Sequence, residues 1–249
     1  MNLKHLHSLG HSRGARGRDH LLQTPDTFIR APLPGMKECT AVIHAGPALG
    51  AAFTQYTAEM DAGGQLGPTG AQRFLYVLDG QVVLRMEHGQ HILHPRGFAY
   101  LPPGSDAAVE AQTRSRVAVI EKVYRRLDKV IAPEWLVSSE DAITPQPLLG
   151  DEDLQVRVLL PNAETHDFAV NTMTFQPGAS LSLVEMHVME HGLLILEGGG
   201  IYRLGENWYP VSAGDFIWMA PYCPQWFGAI GKTPARYLIY KDWNRHPLA

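Results

Sequence analysis

Cysteine is scarce. The chain has two in 249 residues, Cys39 and Cys223, far apart in sequence. That is too few for a disulfide framework, so buried free thiols are expected. Long hydrophobic runs are missing. None approaches the roughly 18 residues that a membrane helix needs, which argues against a membrane partner. Charge is also low, at 18% of residues with a formal net charge of −4. No basic excess points to nucleic acid. Residues 1–20 (MNLKHLHSLGHSRGARGRDH) are basic but have no apolar core, so they are not a secretory signal. With no other address, a cytoplasmic location is expected. What is abundant is glycine (24) and proline (18) in a chain that is 45% hydrophobic. Low charge with many turn formers favours short strands over long helices.

Those strands come in two sets. Residues 1–33 read as an N-terminal segment. Lys4, Arg13, Arg16 and Arg18 alternate there with His5, His7, His11 and His20, and a flexible, solvated terminus is expected rather than a metal-binding tract. Residues 27–30 should dock on the first barrel as an extended segment. Residues 34–127 form a first β-rich unit and residues 128–153 a connector. Residues 138–141 (SSED) could cap a short helix in that connector, which Pro145 and Pro147 keep short. Residues 154–249 form a second β-rich unit. FLYVLDGQVVLR (74–85) aligns with GLLILEGGGIYR (192–203), and FAYLPPGS (98–105) with FIWMAPYC (216–223), both offset by 118. A repeat of that length means two copies of one domain. His88, His91 and His94 fit solvated hairpin residues better than ligands.

Within the second unit, VEMHVMEHGLLILEGGG (184–200) concentrates the chemistry. Glu185 and His187 share a face by parity if the stretch is a strand, and His191 joins them if the strand continues through Met189. One carboxylate and two imidazoles around one point suit a divalent metal. Glu190 has the opposite parity and is left out of the ligand set. Trp208, Trp218 and Trp226 read as core or interface residues.

These residues carry a resemblance. Gly178, Glu185, His187, His191 and Gly198 are spaced like a first cupin motif, with Glu185 in the place of the usual first His and His191 in that of the usual Glu. Gly214, Asp215, Pro221 and Gln225 resemble a second cupin motif, with Gln225 where His is usual. The whole chain is similar to an all-β bicupin, two tandem jelly-roll-type β-barrels with short helices in the connector. The ligand set is similar to that of the (S)-ureidoglycine aminohydrolase family of allantoin and purine breakdown. So are Glu134 to Ser138 in the connector and the tail residues Lys241, Asp242, Asn244 and Arg245.

The resemblance implies Mn²⁺ bound by Glu185, His187, His191 and Gln225, although such ligands could also hold other divalent ions. It implies substrate contacts from Glu185, Tyr202, Tyr237 and Lys241. Lys241 would act catalytically, moving a proton between water and the leaving amine, and the tyrosines would hydrogen-bond the ureido end. Without the resemblance, Lys241 reads as a solvated strand end. The reaction implied turns (S)-ureidoglycine and water into (S)-ureidoglycolate and ammonia. Mapped back by 118, the ligands fall on Gly67, Thr69, Arg73 and Ala107, so the first barrel should hold no metal. A homo-oligomer is expected. The alternatives are another metal-dependent cupin enzyme, such as a dioxygenase or isomerase, and a non-catalytic small-molecule-binding bicupin.

Overall fold

A computed structural model of the chain describes residues 12–86 and 89–245. His5, His7, His11 and His88 lie outside the described residues. The described residues form strands joined by turns, with short 3-10 turns and no α-helix. One of these turns, Glu140–Ala142, is in the connector, where the Ser139 side chain accepts from the Asp141 amide at 3.3 Å.

The apolar run at residues 193–196 shows why the fold needs unbroken hydrophobic strands. Alternate side chains of a strand face opposite sides. Leu193 and Ile195 point into the second barrel, among Phe175, Tyr202, Phe227 and Tyr237. Leu194 points the other way, into a core shared by both barrels. In the first barrel Leu75 and Val77 face the interior while Phe74 and Tyr76 face the shared core. A strand buried on both faces has no polar position to offer. The shared core stacks Phe53 on Tyr240 with ring centroids 3.9 Å apart. Truncating one such aromatic to alanine costs about 3–5 kcal/mol.

The first barrel is a ten-stranded sheet. The second pairs an eight-stranded sheet with a three-stranded one made of Gly199–Leu204, Asn207–Ser212 and Gln225–Ala229. The segments that lead into the barrels are exchanged. His20–Gln23, ahead of the first barrel, pairs with Phe216–Met219 of the second, Leu21 opposite Trp218. Leu136–Ser139, in the connector, pairs with Gly97–Leu101 of the first, Leu136 opposite Tyr100. Each added strand covers a sheet edge that would otherwise offer unpaired backbone groups.

The described part of the N-terminal segment is therefore not a flexible, solvated tail. Arg13 donates to both carboxylate oxygens of Asp215, at 2.6 and 2.8 Å, and Asp215 is fully buried. A buried carboxylate requires such a partner. Leu22 joins the second barrel's core. Arg30–Ala31 does pair with the first barrel, Arg30 opposite Val42. Glu140 of the connector ties the barrels together, accepting from Tyr76, from Thr172 at 2.9 Å and from Arg236 at 2.5 Å. Burial alone would raise its carboxyl, but these partners outweigh it and hold it below the usual range.

Candidate metal and substrate site

The second barrel encloses a cavity of about 350 Å³. Glu185, His187, His191, Gln225, Tyr202, Tyr237 and Lys241 all line it. The route by which three of them arrive differs from the strand expected through Met189. That strand begins only at His191. Bends at residues 182–183 and 188–189 interrupt the stretch before it, so parity does not set its facing side. An isolated bridge does: the Glu185 amide donates to the Gln225 carbonyl at 2.8 Å and the Gln225 amide donates back at 2.9 Å. This puts two sequence-distant candidate ligands side by side. His187 is held by its carbonyl, which accepts from the Tyr222 amide at 2.6 Å. Gly198 turns the chain with φ +65°, and a Cβ there would lie 2.4 Å from the Pro234 carbonyl; glycine is required.

The electrostatics fit a cation. His191 is buried, and its Nδ1 lies 3.4 Å from the Tyr240 carbonyl. A nitrogen facing a carbonyl carries the proton, so Nε2 keeps a lone pair, and it has no hydrogen-bond partner. Burial, then His187 and Lys241, push this imidazole down to about 3, so it stays neutral. An unpaired buried acceptor is costly, and a bound cation removes the cost. His187 Nε2 lies 3.1 Å from Glu185 Oε2, and its ring stands 5.5 Å from that of His191. Tyr202 donates to Gln225 Oε1 at 3.1 Å, which fixes the amide and leaves that oxygen a second lone pair.

Lys241 is not a solvated strand end. It is half-buried and pairs in register with His191. Burial lowers its pKa, partly opposed by Glu185. Its Nζ lies 5.5 Å from the Trp243 ring centre. Turned with its oxygen towards Lys241, the Asn171 amide accepts from Nζ at 3.1 Å. Nothing in the sequence singled out Asn171; only the pairing of Ala169–Phe175 with Ala235–Lys241 brings it there. Tyr237 donates to the Met173 sulfur at 3.2 Å. Both tyrosine protons are thus spent on chain atoms, leaving the hydroxyl oxygens free to accept.

A second grouping was not foreseen. Asp19, His20 and Cys223 bring ligand atoms within 4.8 Å of one another, a spacing able to hold a metal ion. Their chemistry is already engaged, however. His20 Nδ1 bonds Asp19 at 2.7 Å and Nε2 bonds Tyr209 at 2.9 Å. Burial, with help from Asp19, pushes the Cys223 thiol up to about 12. Cys39 is likewise buried and free. The remaining sequence candidates lie elsewhere. Glu190 points towards the other barrel, with Trp218 donating to it at 3.2 Å. Trp218 is buried in the shared core, Trp226 is half-buried and Trp208 is exposed. His91 packs on Trp135 at 5.4 Å between ring centres.

A cupin domain model matches residues 171–240, and a model of the EutQ-like cupin domain matches residues 48–124. The (S)-ureidoglycine aminohydrolase of Arabidopsis thaliana is 43% identical over 98% of this chain and 83% of its own length. The chain belongs to the (S)-ureidoglycine aminohydrolase family. Another member, from Escherichia coli K12, is 36% identical over 90% of this chain and 88% of its own. The crystal structure of protein YlbA from E. coli superposes with a TM-score of 0.84 at 31% identity, covering 96% of this chain and 97% of that one. The aminohydrolase family and the bicupin fold therefore agree.

Proposed function

We propose that the chain hydrolyses (S)-ureidoglycine to (S)-ureidoglycolate and ammonia, with Mn²⁺ held by Glu185, His187, His191 and Gln225. One observation carries the reading. The four candidate ligands line one cavity together with Tyr202, Tyr237 and Lys241, in a chain 43% identical to a protein of that activity. Oxygen and imidazole donors with no thiolate suit manganese; the Cys-containing trio at Asp19 suits it less. Bound there, the ion would act as a Lewis acid towards the substrate's polar groups.

The chain's own residues supply the rest. Lys241 Nζ, partly desolvated, is poised to take a proton from water and return it to the departing amine. The Tyr202 and Tyr237 hydroxyl oxygens, their protons already committed, are acceptors for ureido N–H groups. Met173, Leu181 and Ile239 wall the cavity and limit water around it.

The reading includes a homo-oligomer, whose contacts would cover some of the exposed apolar side chains, such as Val123, Ile131 and Leu149. It includes a cytoplasmic location, supported by two unpaired buried thiols. No described helix is long and apolar enough to cross a membrane. The test is ammonia release from freshly made ureidoglycine with added Mn²⁺, beside metal analysis of the purified protein. Catalysed release with about one Mn²⁺ per chain is expected. Ammonia only at the spontaneous rate rejects the activity.

A further inference from the structure

Two side chains grip across the barrel interface at equivalent places. Glu190 is 118 residues after Gln72, and Trp218 is 118 after Tyr100. Each gripping residue immediately precedes a cavity residue, Arg73 in the first barrel and His191 in the second. In the first barrel Tyr100 donates to Gln72 Oε1 at 2.9 Å, and Gln72 Nε2 donates to Asp167 of the second barrel at 2.6 Å. In the second, Trp218 donates to one oxygen of Glu190, and the Ala52 amide of the first barrel donates to the other at 2.9 Å.

The second grip does more, because of what surrounds His191. The Glu190 amide donates to Asp242 at 2.8 Å, so the residues flanking His191 and Lys241 are tied to each other. Gly192, on the far side of His191, meets Phe53: a Cβ there would lie 2.7 Å from the ring. Phe53 also stacks on Tyr240, whose carbonyl faces His191 Nδ1. Three contacts therefore run from residues 52–53 of the first barrel to the two residues that flank His191, Glu190 and Gly192, and to Tyr240, the partner of its ring.

We infer that Ala52 and Phe53 of the first barrel are positioning residues for His191, acting through Glu190, Gly192 and Tyr240. The first barrel then sets the aim of a ligand in the second. This rests on the metal reading above. A partner that orients a metal-bound imidazole commonly changes metal affinity about 10–100-fold when removed.

The carboxylate of Glu190 accepts two N–H donors. A carboxamide accepts only one of them and turns its own NH₂ at the other. The test measures Mn²⁺ dissociation constants, from the electron paramagnetic resonance signal of free Mn²⁺, for the full-length wild type, Glu190→Gln, Phe53→Leu and Gln72→Leu, with the Tm of each. Glu190→Gln is expected to weaken Mn²⁺ about tenfold or more, and Phe53→Leu to weaken it several-fold. Gln72→Leu, which cuts the equivalent grip, should lower Tm yet leave Mn²⁺ affinity within twofold. Phe53→Leu keeps the test decisive if Glu190→Gln does not fold. Wild-type affinity in Glu190→Gln or Phe53→Leu overturns the inference. So does a loss in Gln72→Leu as large as theirs, since the grip would then act only through stability. A wild type that binds no Mn²⁺ overturns the metal reading and this inference with it.

Discussion

The two barrels place opposite chemistry at one position. In the second, His191 and Lys241 face each other across paired strands. In the first, the same register pairs Arg73 with Glu121. Both line cavities of similar size, about 350 and 380 Å³. Arg73 bonds Glu121 at 2.6–2.7 Å and the Gly67 carbonyl at 2.8 Å, and Tyr56 donates to the same carboxylate at 3.1 Å. A guanidinium is a permanent cation with no lone pair. The first barrel thus carries its positive charge within the chain and satisfies it there. The second leaves an imidazole nitrogen unsatisfied and half-buries a lysine opposite it. One backbone supports either a closed ion pair or an open donor set, and a few side chains decide which.

The widest way to break this comparison is His191→Ala. Bound Mn²⁺ should be lost and ammonia release should fall to the spontaneous rate, about a thousandfold or more down, as metal analysis and the ammonia assay would read. Lys241→Met sharpens it by separating proton transfer from metal holding. Its kcat should drop about 10²–10⁴-fold while Mn²⁺ content stays at the wild-type level; unchanged turnover would remove Lys241 from the mechanism. Arg73→Met tests the other side. It should leave Mn²⁺ content and kcat alone but strand Glu121, costing about 3 kcal/mol, the low end for a broken buried pair because Glu121 retains some solvent. Denaturant unfolding reads that loss, and Arg73→Met with Glu121→Leu should recover most of it.

How much of this could be read before the fold was seen depends on how local each cause is. The duplication was legible, because strands buried on both faces repeat as apolar runs with glycine turns at a fixed spacing. The absence of plausible ligands at Gly67, Thr69, Arg73 and Ala107 followed from the same offset. The common cavity of Glu185, His187 and His191 was anticipated for an incomplete reason. Residues 182–190 are not a continuous strand, and the bridge from Glu185 to Gln225 does the work that parity was given. The roles offered for Tyr202, Tyr237 and Lys241 came from family resemblance rather than spacing. What stayed hidden was long-range. Arg13 and His20 looked like a solvated basic tract because Asp215 and Tyr209, their partners, lie some 190–200 residues away. Glu190 was set aside by parity and does not line the cavity, but its partner Ala52 offers only a backbone amide, which no side-chain pattern announces.

The smallest effect concerns the junction where both barrels and the N-terminal strand meet. His44 lies there, with Nδ1 donating to Gln23 at 2.7 Å, Nε2 accepting from Thr57 at 2.8 Å, and its ring stacked on Phe216 at 4.9 Å. Burial, then Arg116, pushes it down to about 3. Its unfolded value is the ordinary 6.5. Between these two pH values the unfolded chain binds a proton that the folded chain refuses. The contribution of His44 is therefore complete above the unfolded value and is lost as pH falls from 6.5 towards 3. At pH 5 the loss is about 2 kcal/mol, or roughly 4–8 °C in Tm for a chain of this size. His44→Gln keeps a donor and an acceptor but cannot titrate. Its Tm should fall less than that of the wild type between pH 7.5 and 5, while the two proteins differ little in slope above pH 7. Equal acid slopes would show that His44 is protonated at no cost in the folded chain, and that the junction is open to water.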